Sequence, residues 1–352
     1  MDVKLNVNIK AVFPLLLILL TACGGSDGDV DEIYSNIDGK NSPEVPSNTV
    51  NVQIPAFSIS SDNLEITTTI AIDSIFNNLA LNMSKSLTGS EVSTSSSQLY
   101  LPPNLQNFTR LKRAFSSASD SSKTVSKEVT DCAISGSLTT TISLQNPLKL
   151  SPNDSFKFEN ANCHDGSSVS NGTFIYKFTQ LVNFNSFEHY DILGLDVIFD
   201  GYSIEFLDDN KTVTVSSKYS VLITQDEYLH QVAITSPLLA TVVNDYMSLS
   251  QNLTVDKTYN KNENVETVNA STYLINGALF GEITISTLKD FNFNGQGSDT
   301  PFSGSMKIEA NNGSSIILTV LNSNDIQLEA DFDGDEMIDE TRVISWESLS
   351  LN

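Results

Sequence analysis

Ser137-Leu-Thr-Thr-Thr-Ile-Ser-Leu144 and Thr173-Phe-Ile-Tyr-Lys-Phe178 decide how this chain folds. Successive side chains of an extended backbone point to opposite faces, so residues two apart share a face. Phe174, Tyr176 and Phe178 therefore line one side of a strand, and Leu138, Ile142 and Leu144 do the same in theirs. The alternation returns in Thr212-Val-Thr-Val-Ser216, Glu282-Ile-Thr-Ile-Ser286 and Met306-Lys-Ile-Glu-Ala310. Turn formers separate these runs at Asp208-Asp209-Asn210, Gln225-Asp226-Glu227, 260–264 and 292–297. Asn311-Asn312-Gly313 reads as a type I′ hairpin turn, because its central residues tolerate positive φ. Short strands, repeated turns and no helical repeats between them predict a mainly β fold. The expected topology is an antiparallel meander arranged as a barrel, a half-barrel or a sandwich.

Upstream of this region the period changes. Ile72, Ile75, Phe76, Leu79, Met83 and Leu87 recur at helical spacing, as do Leu105, Phe108, Leu111 and Phe115 after Pro102-Pro103. A short helical region thus precedes the sheet. We expect a partly helical, Ser/Thr-rich region over 51–130 and a β domain over 131–352. Residues 24–50 are mostly Gly, Ser, Asp, Asn and Pro, and 23–50 reads as an acidic flexible tether.

The amino terminus carries Lys4 and Lys10, the apolar run Ala11–Leu20, and then Thr21-Ala22-Cys23. Its h-region is about half the ~20 residues that a membrane-crossing helix needs. Leu20-Thr-Ala-Cys23 resembles the lipobox of bacterial lipoproteins, a resemblance confined to residues 1–23. It implies that 1–22 is a removed signal peptide and that Cys23 carries a diacylglyceryl group, usually with a third acyl chain (palmitate-type lipid). Two or more chains hold stably to a bilayer. By the sorting rule of Gram-negative lipoproteins, Gly24 implies the outer membrane as destination, with the domain on its periplasmic or surface face. An outer-membrane barrel would alternate in a similar way, but a lipobox followed by an acidic tether describes a domain hung from lipid.

The chain has 19 Lys and Arg against 43 Asp and Glu, a net charge of −24. That balance excludes nucleic acid, whose phosphates require basic side chains, and leaves membrane attachment to the acyl chains. With Cys23 lipidated, Cys132 and Cys163 remain in an oxidising compartment, and a structural disulfide is expected. They flank the turn-rich stretch Asn146–Asp154, so a hairpin of 134–145 with 154–161 would bring them together at its open end.

Asp331-Phe-Asp333-Gly-Asp335-Glu-Met-Ile-Asp339-Glu340 spaces carboxylates at positions 1, 3, 5 and 9. The spacing resembles Asp-rich calcium loops of the EF-hand type, and Ca²⁺ is the cofactor this implies. Two positions depart from that pattern: Glu336 stands where glycine is usual, and Arg342 where a bidentate Glu is usual, leaving Glu340 as substitute. Both losses predict weak affinity or another loop geometry; without metal, the stretch is an acidic turn between strands 326–330 and 342–346. Phe184, Phe187, Tyr190, Phe199, Tyr202 and Phe206 form the densest aromatic stretch, read either as core or as a ligand groove. Catalytic signatures are sparse. The three histidines, His164, His189 and His230, form no His-Glu-x-x-His, and there is no Gly-x-Ser-x-Gly elbow. Cys163-His164-Asp165 offers no nucleophile if Cys163 is disulfide-bonded.

The expected protein is a lipid-anchored envelope protein with a non-enzymatic binding or structural β domain, its partners being the membrane, other envelope proteins or an apolar ligand. A half-barrel carrier of lipid or another apolar ligand is the alternative, and an envelope hydrolase is the third.

Overall fold

Period-two alternation becomes one sheet. The computed structural model describes residues 57–76, 125–146, 149–185, 189–207, 211–243, 246–279, 281–295, 298 and 300–349. All of them belong to one compact unit, Ile54–Asn352. Helix α1 (Leu64–Phe76) precedes β1 (Val125–Asp131), β2 (Ser135–Ser143), β3 (Ser155–His164), β4 (Ser168–Val182) and β5 (Ile192–Phe206). Then come β6 (Lys211–Gln225), β7 (Leu229–Val243), β8 (Tyr246–Asn260), β9 (Val265–Asn276) and β10 (Gly281–Asn294). β11 (Pro301–Ala310), β12 (Ser315–Val320), β13 (Asp325–Asp331), β14 (Glu340–Ser345) and a 3-10 turn, Trp346–Leu349, close the chain.

The strands hydrogen-bond in chain order, each antiparallel to the next, as a single 14-stranded sheet. The expected meander is therefore present, and its form is specified: among the described residues β1 and β14 each pair on one side only, so neither a two-sheet sandwich nor a hydrogen-bond-closed barrel describes these strands. The hairpin around Asn146–Asp154 is the β2–β3 pair. Cys23, the signal segment, the tether, the helical spacing beyond Phe76 and Phe187 lie outside the described residues.

One face of the sheet is buried. In β12, Ile316, Leu318 and Val320 are buried while Ser315, Ile317 and Thr319 are half-exposed; β3 buries Phe156, Phe158 and Cys163 the same way. We call this the inner face. Of the 13 strand pairs, eight carry a register shift, from β2–β3 across to β10–β11. Bulges bend a strand and tighten its twist, so the sheet is bent along a belt crossing most of its width. At β4–β5 the bend needs glycine: Gly172 has φ +87°, and a Cβ there would overlap the Gly201 carbonyl oxygen.

α1 packs on the inner face, where Ile70, Ala71, Ile72 and Ile75 are buried. Its Phe76 ring meets Phe291 and Phe293 edge-on, at 5.0 and 5.8 Å between centroids. The Ile59 N–H donates to Ser314 Oγ at 2.9 Å. On β14, Arg342 reaches back to α1, donating to Glu65 Oε1 (3.2 Å), Ser61 O (3.1 Å) and Ser61 Oγ (2.7 Å). The helix starts eight residues before Ile72, where the spacing signal begins, because its first turns are held by these tertiary contacts rather than by an apolar repeat.

The Asn311-Asn312-Gly313 turn corrects its expected type. Only Gly313 takes positive φ, at +95°. Gly313 N–H donates to Ala310 O at 3.0 Å, and Ala310 N–H to Ser314 O at 2.9 Å. That is a three-residue loop, a type I turn followed by a left-handed glycine. Asn312 stays at negative φ because its side-chain oxygen accepts from Ser314 N–H (3.1 Å) and Oγ (2.7 Å). Among the described residues no helix is long and apolar enough to cross a membrane, which says nothing of strands.

Candidate functional site

The acidic loop joins β13 to β14, and three of its five candidate ligands converge. Carboxylate oxygens of Asp331, Asp333 and Asp335 lie within 4.8 Å of one another. The chain achieves this by wrapping backbone N–H groups around the carboxylates. Asp331 Oδ1 accepts from Gly334 N–H at 2.7 Å and its Oδ2 from Glu336 N–H at 2.9 Å. Asp333 accepts from Asp335 N–H at 3.2 Å, and Asp335 from Met337 N–H at 2.8 Å. Burial alone would raise the Asp331 carboxyl, but the N–H groups of Gly334, Glu336, Asp333 and Asp335 outweigh it and hold it below the usual range. Glu336, which replaces the usual glycine, sits at φ +68°, a left-handed conformation costly for a side chain with Cβ.

Asp339 and Glu340 do not join them. Asp339 Oδ2 accepts the Phe332 N–H at 2.7 Å. Glu340 Oε1 accepts from Arg342 Nε at 2.5 Å, and that bond first of all keeps its carboxyl low. Alternation sends both Glu340 and Arg342 to the inner-face side of β14, opposite Ala330 and Leu328, where α1 lies. Glu340, the expected substitute for the missing bidentate ligand, is thus paired with Arg342 and stands apart from the three aspartates. Three carboxylates can hold a hard cation, yet they fall short of the six to eight oxygens Ca²⁺ prefers.

Cys132 and Cys163 are joined in a disulfide, with Cα atoms 5.4 Å apart. Beside it, Asp165 accepts from Ser167 and Ser168 N–H at 3.0 and 2.9 Å. His164 Nε2 is buried without a hydrogen-bond partner. The three residues Cys163-His164-Asp165 thus cap a strand end.

The aromatic stretch divides into two groups. Phe184 stacks on Tyr190 at the β4–β5 turn, 6.4 Å apart. Phe199 and Tyr202 instead join a wall on β3–β6: Tyr202 lies 5.3 Å from Phe174 edge-on, and Phe199 lies 6.1 Å from Tyr219. Phe206 is only partly buried at the far end of β5. Burial pushes the Tyr190 phenol up to about 12. Ring faces meet other rings, an arrangement that adds about 0.5–1.5 kcal/mol per pair beyond area burial.

Sequence reading passed over a buried polar group on the same face. Lys257 and Glu266 form an ion pair at 2.8 Å with side chains 3% and 4% exposed. Register places Lys257 between Val232 and Val268, and Glu266 between Tyr259 and Phe293. His230 is opposite Tyr259 and also buried. Desolvation first, then Lys257 and Lys261, lowers His230 to about 4. The signal was parity: His230, Lys257 and Glu266 occupy the apolar positions of their strands, among Val232, Val255 and Val268.

A histidine whose folded pKa lies below its usual 6.5 favours the neutral fold, so its contribution is complete above about pH 6.5 and lost as pH falls toward about 4. Thermal melts should show lower stability at pH 4.5 than at pH 7, with part of that drop absent in His230→Gln. An unchanged pH profile in the variant would show that His230 has no part in it.

Comparison with protein-family models, curated proteins and solved structures finds no match.

Proposed function

We propose that this chain is a lipid-anchored protein of the bacterial envelope, sorted to the outer membrane, whose sheet acts as a non-enzymatic structural or binding module. The observation that carries the reading is Leu20-Thr-Ala-Cys23 closing a short apolar run behind Lys4 and Lys10. A disulfide suits the oxidising compartment this implies. The structural role is favoured over the carrier by the β3–β6 aromatics, whose rings are spent on one another. Cys23→Ala expressed with labelled palmitate tests the anchor. We expect loss of label and release from membranes, and a variant that stays membrane-bound would overturn it.

The Asp331, Asp333 and Asp335 carboxylates are proposed to take Ca²⁺ weakly, at ~10⁻⁴–10⁻³ M as in extracellular modules, stapling the β13–β14 turn. Calorimetric titration of Ca²⁺ should give heat that Asp333→Ala abolishes. Absence of heat in the unaltered protein would reduce the loop to an acidic turn.

A further inference from the structure

Two pentapeptides of this chain are nearly the same and fold differently. Leu138-Thr-Thr-Thr-Ile142 is strand in β2, with Leu138 and Ile142 buried. Ile66-Thr-Thr-Thr-Ile70 is helix in α1. Seven of the 13 residues of α1 are Ile or Thr, which lose side-chain freedom in a helix and favour strands. Of its seven even positions five are apolar (Leu64, Ile66, Ile70, Ile72 and Phe76, against Thr68 and Ser74), and of its six odd positions four are polar (Glu65, Thr67, Thr69 and Asp73, against Ala71 and Ile75). Nine of the 13 positions thus follow the inner-apolar, outer-polar alternation of the sheet itself.

The helix misplaces two side chains. Thr67 is fully buried with its Oγ1 lacking any hydrogen-bond partner. Ile66, next to it, is 43% exposed. An extended backbone of the same parity turns Ile66 inward and Thr67 out. Conflict of this kind between local preference and adopted structure marks a segment with a competing state.

A place for the strand exists. Among the described residues the outer edge of β14 has no strand partner, and Arg342 of β14 already holds Ser61, three residues ahead of the segment, through its backbone oxygen and Oγ. We propose that residues 64–76 are a two-state element: a helix docked on the inner face, or a fifteenth strand paired with the free edge of β14 in the same chain. Ser61 on Arg342 is the pivot common to both states, and the Glu65–Arg342 pair is released on switching. The change uncovers the inner-face surface on β9 and β12 that α1 touches.

Proline disrupts a helix interior but is accepted on an edge strand where its missing N–H faces outward. Successive N–H groups point to opposite sides of a strand, so of Ile70→Pro and Ala71→Pro one leaves the new ladder intact. Amide hydrogen exchange of the full chain, read by mass spectrometry, is the measurement. In one of the two variants, exchange of the β14 peptide should slow by roughly 10-fold or more while β4–β8 is unchanged. Unchanged β14 exchange in both, with 64–76 newly open to protease, would overturn the proposal. Should the prolines prevent folding, Ala71→Val, which disfavours helix and favours strand, is read the same way: slower β14 exchange upholds the switch and no change overturns it.

Discussion

Lys257→Met should destabilise the fold by about 3–5 kcal/mol, the usual cost of leaving one member of a buried ion pair uncompensated. The reason lies in the rows around it: valines flank Lys257 on either side, and Tyr259 and Phe293 flank Glu266. A lone carboxylate there has little to solvate it, since Glu266 Oε2 makes no hydrogen bond beyond its 2.8 Å contact with the ammonium. The double variant Lys257→Met/Glu266→Leu should return to within about 1 kcal/mol of the unaltered protein, because apolar residues of similar volume replace such pairs at little cost. Urea unfolding of the three variants and the parent measures this. Losses that simply add in the double variant would show that the two side chains act independently.

Replacing Cys132 and Cys163 by serine should cost about 3–4 kcal/mol, from the chain entropy released when a loop of this size is no longer closed. The two are 31 residues apart, and the melting temperature should fall by roughly 5–10 °C. The loss should concentrate in β1. That strand has no buried residue and among the described residues pairs only with β2, while Cys132 next to it is bonded to Cys163 on β3. Faster amide exchange in β1 than in β4–β8 is the expected signature. Equal melting of the oxidised protein and the serine variant would mean that the hairpin register alone holds this end.

Much of the sheet was legible because its strands use one face. Thr173–Phe178 and Met306–Ala310 show their buried positions directly as Phe, Tyr, Met and Ile. The cysteine pairing followed from turn residues between them. The helix was read only at its end, since Leu64–Ala71 carries a strand-like pattern and is held as a helix by distant partners, Arg342 on Glu65 and, just ahead of the helix, Ser314 on Ile59. In the acidic loop, spacing identified Asp331, Asp333 and Asp335 but could not show that Asp339 and Glu340 are drawn off to Phe332 N–H and Arg342. Lys257 and Glu266 escaped because a search for apolar alternation passes over a charge at an apolar position, although parity places it there as firmly as a valine.

The Arg342 link to Glu65 spans 277 residues of chain, which orders events on the ribosome. The contacts of Phe76 with β10 and of Ile59 with Ser314 can form before β14 has been made. The links from Arg342 to Glu65 and Ser61 cannot, so they are the last of the described contacts of this segment to close. The helix is therefore sealed after the sheet beneath it and not before.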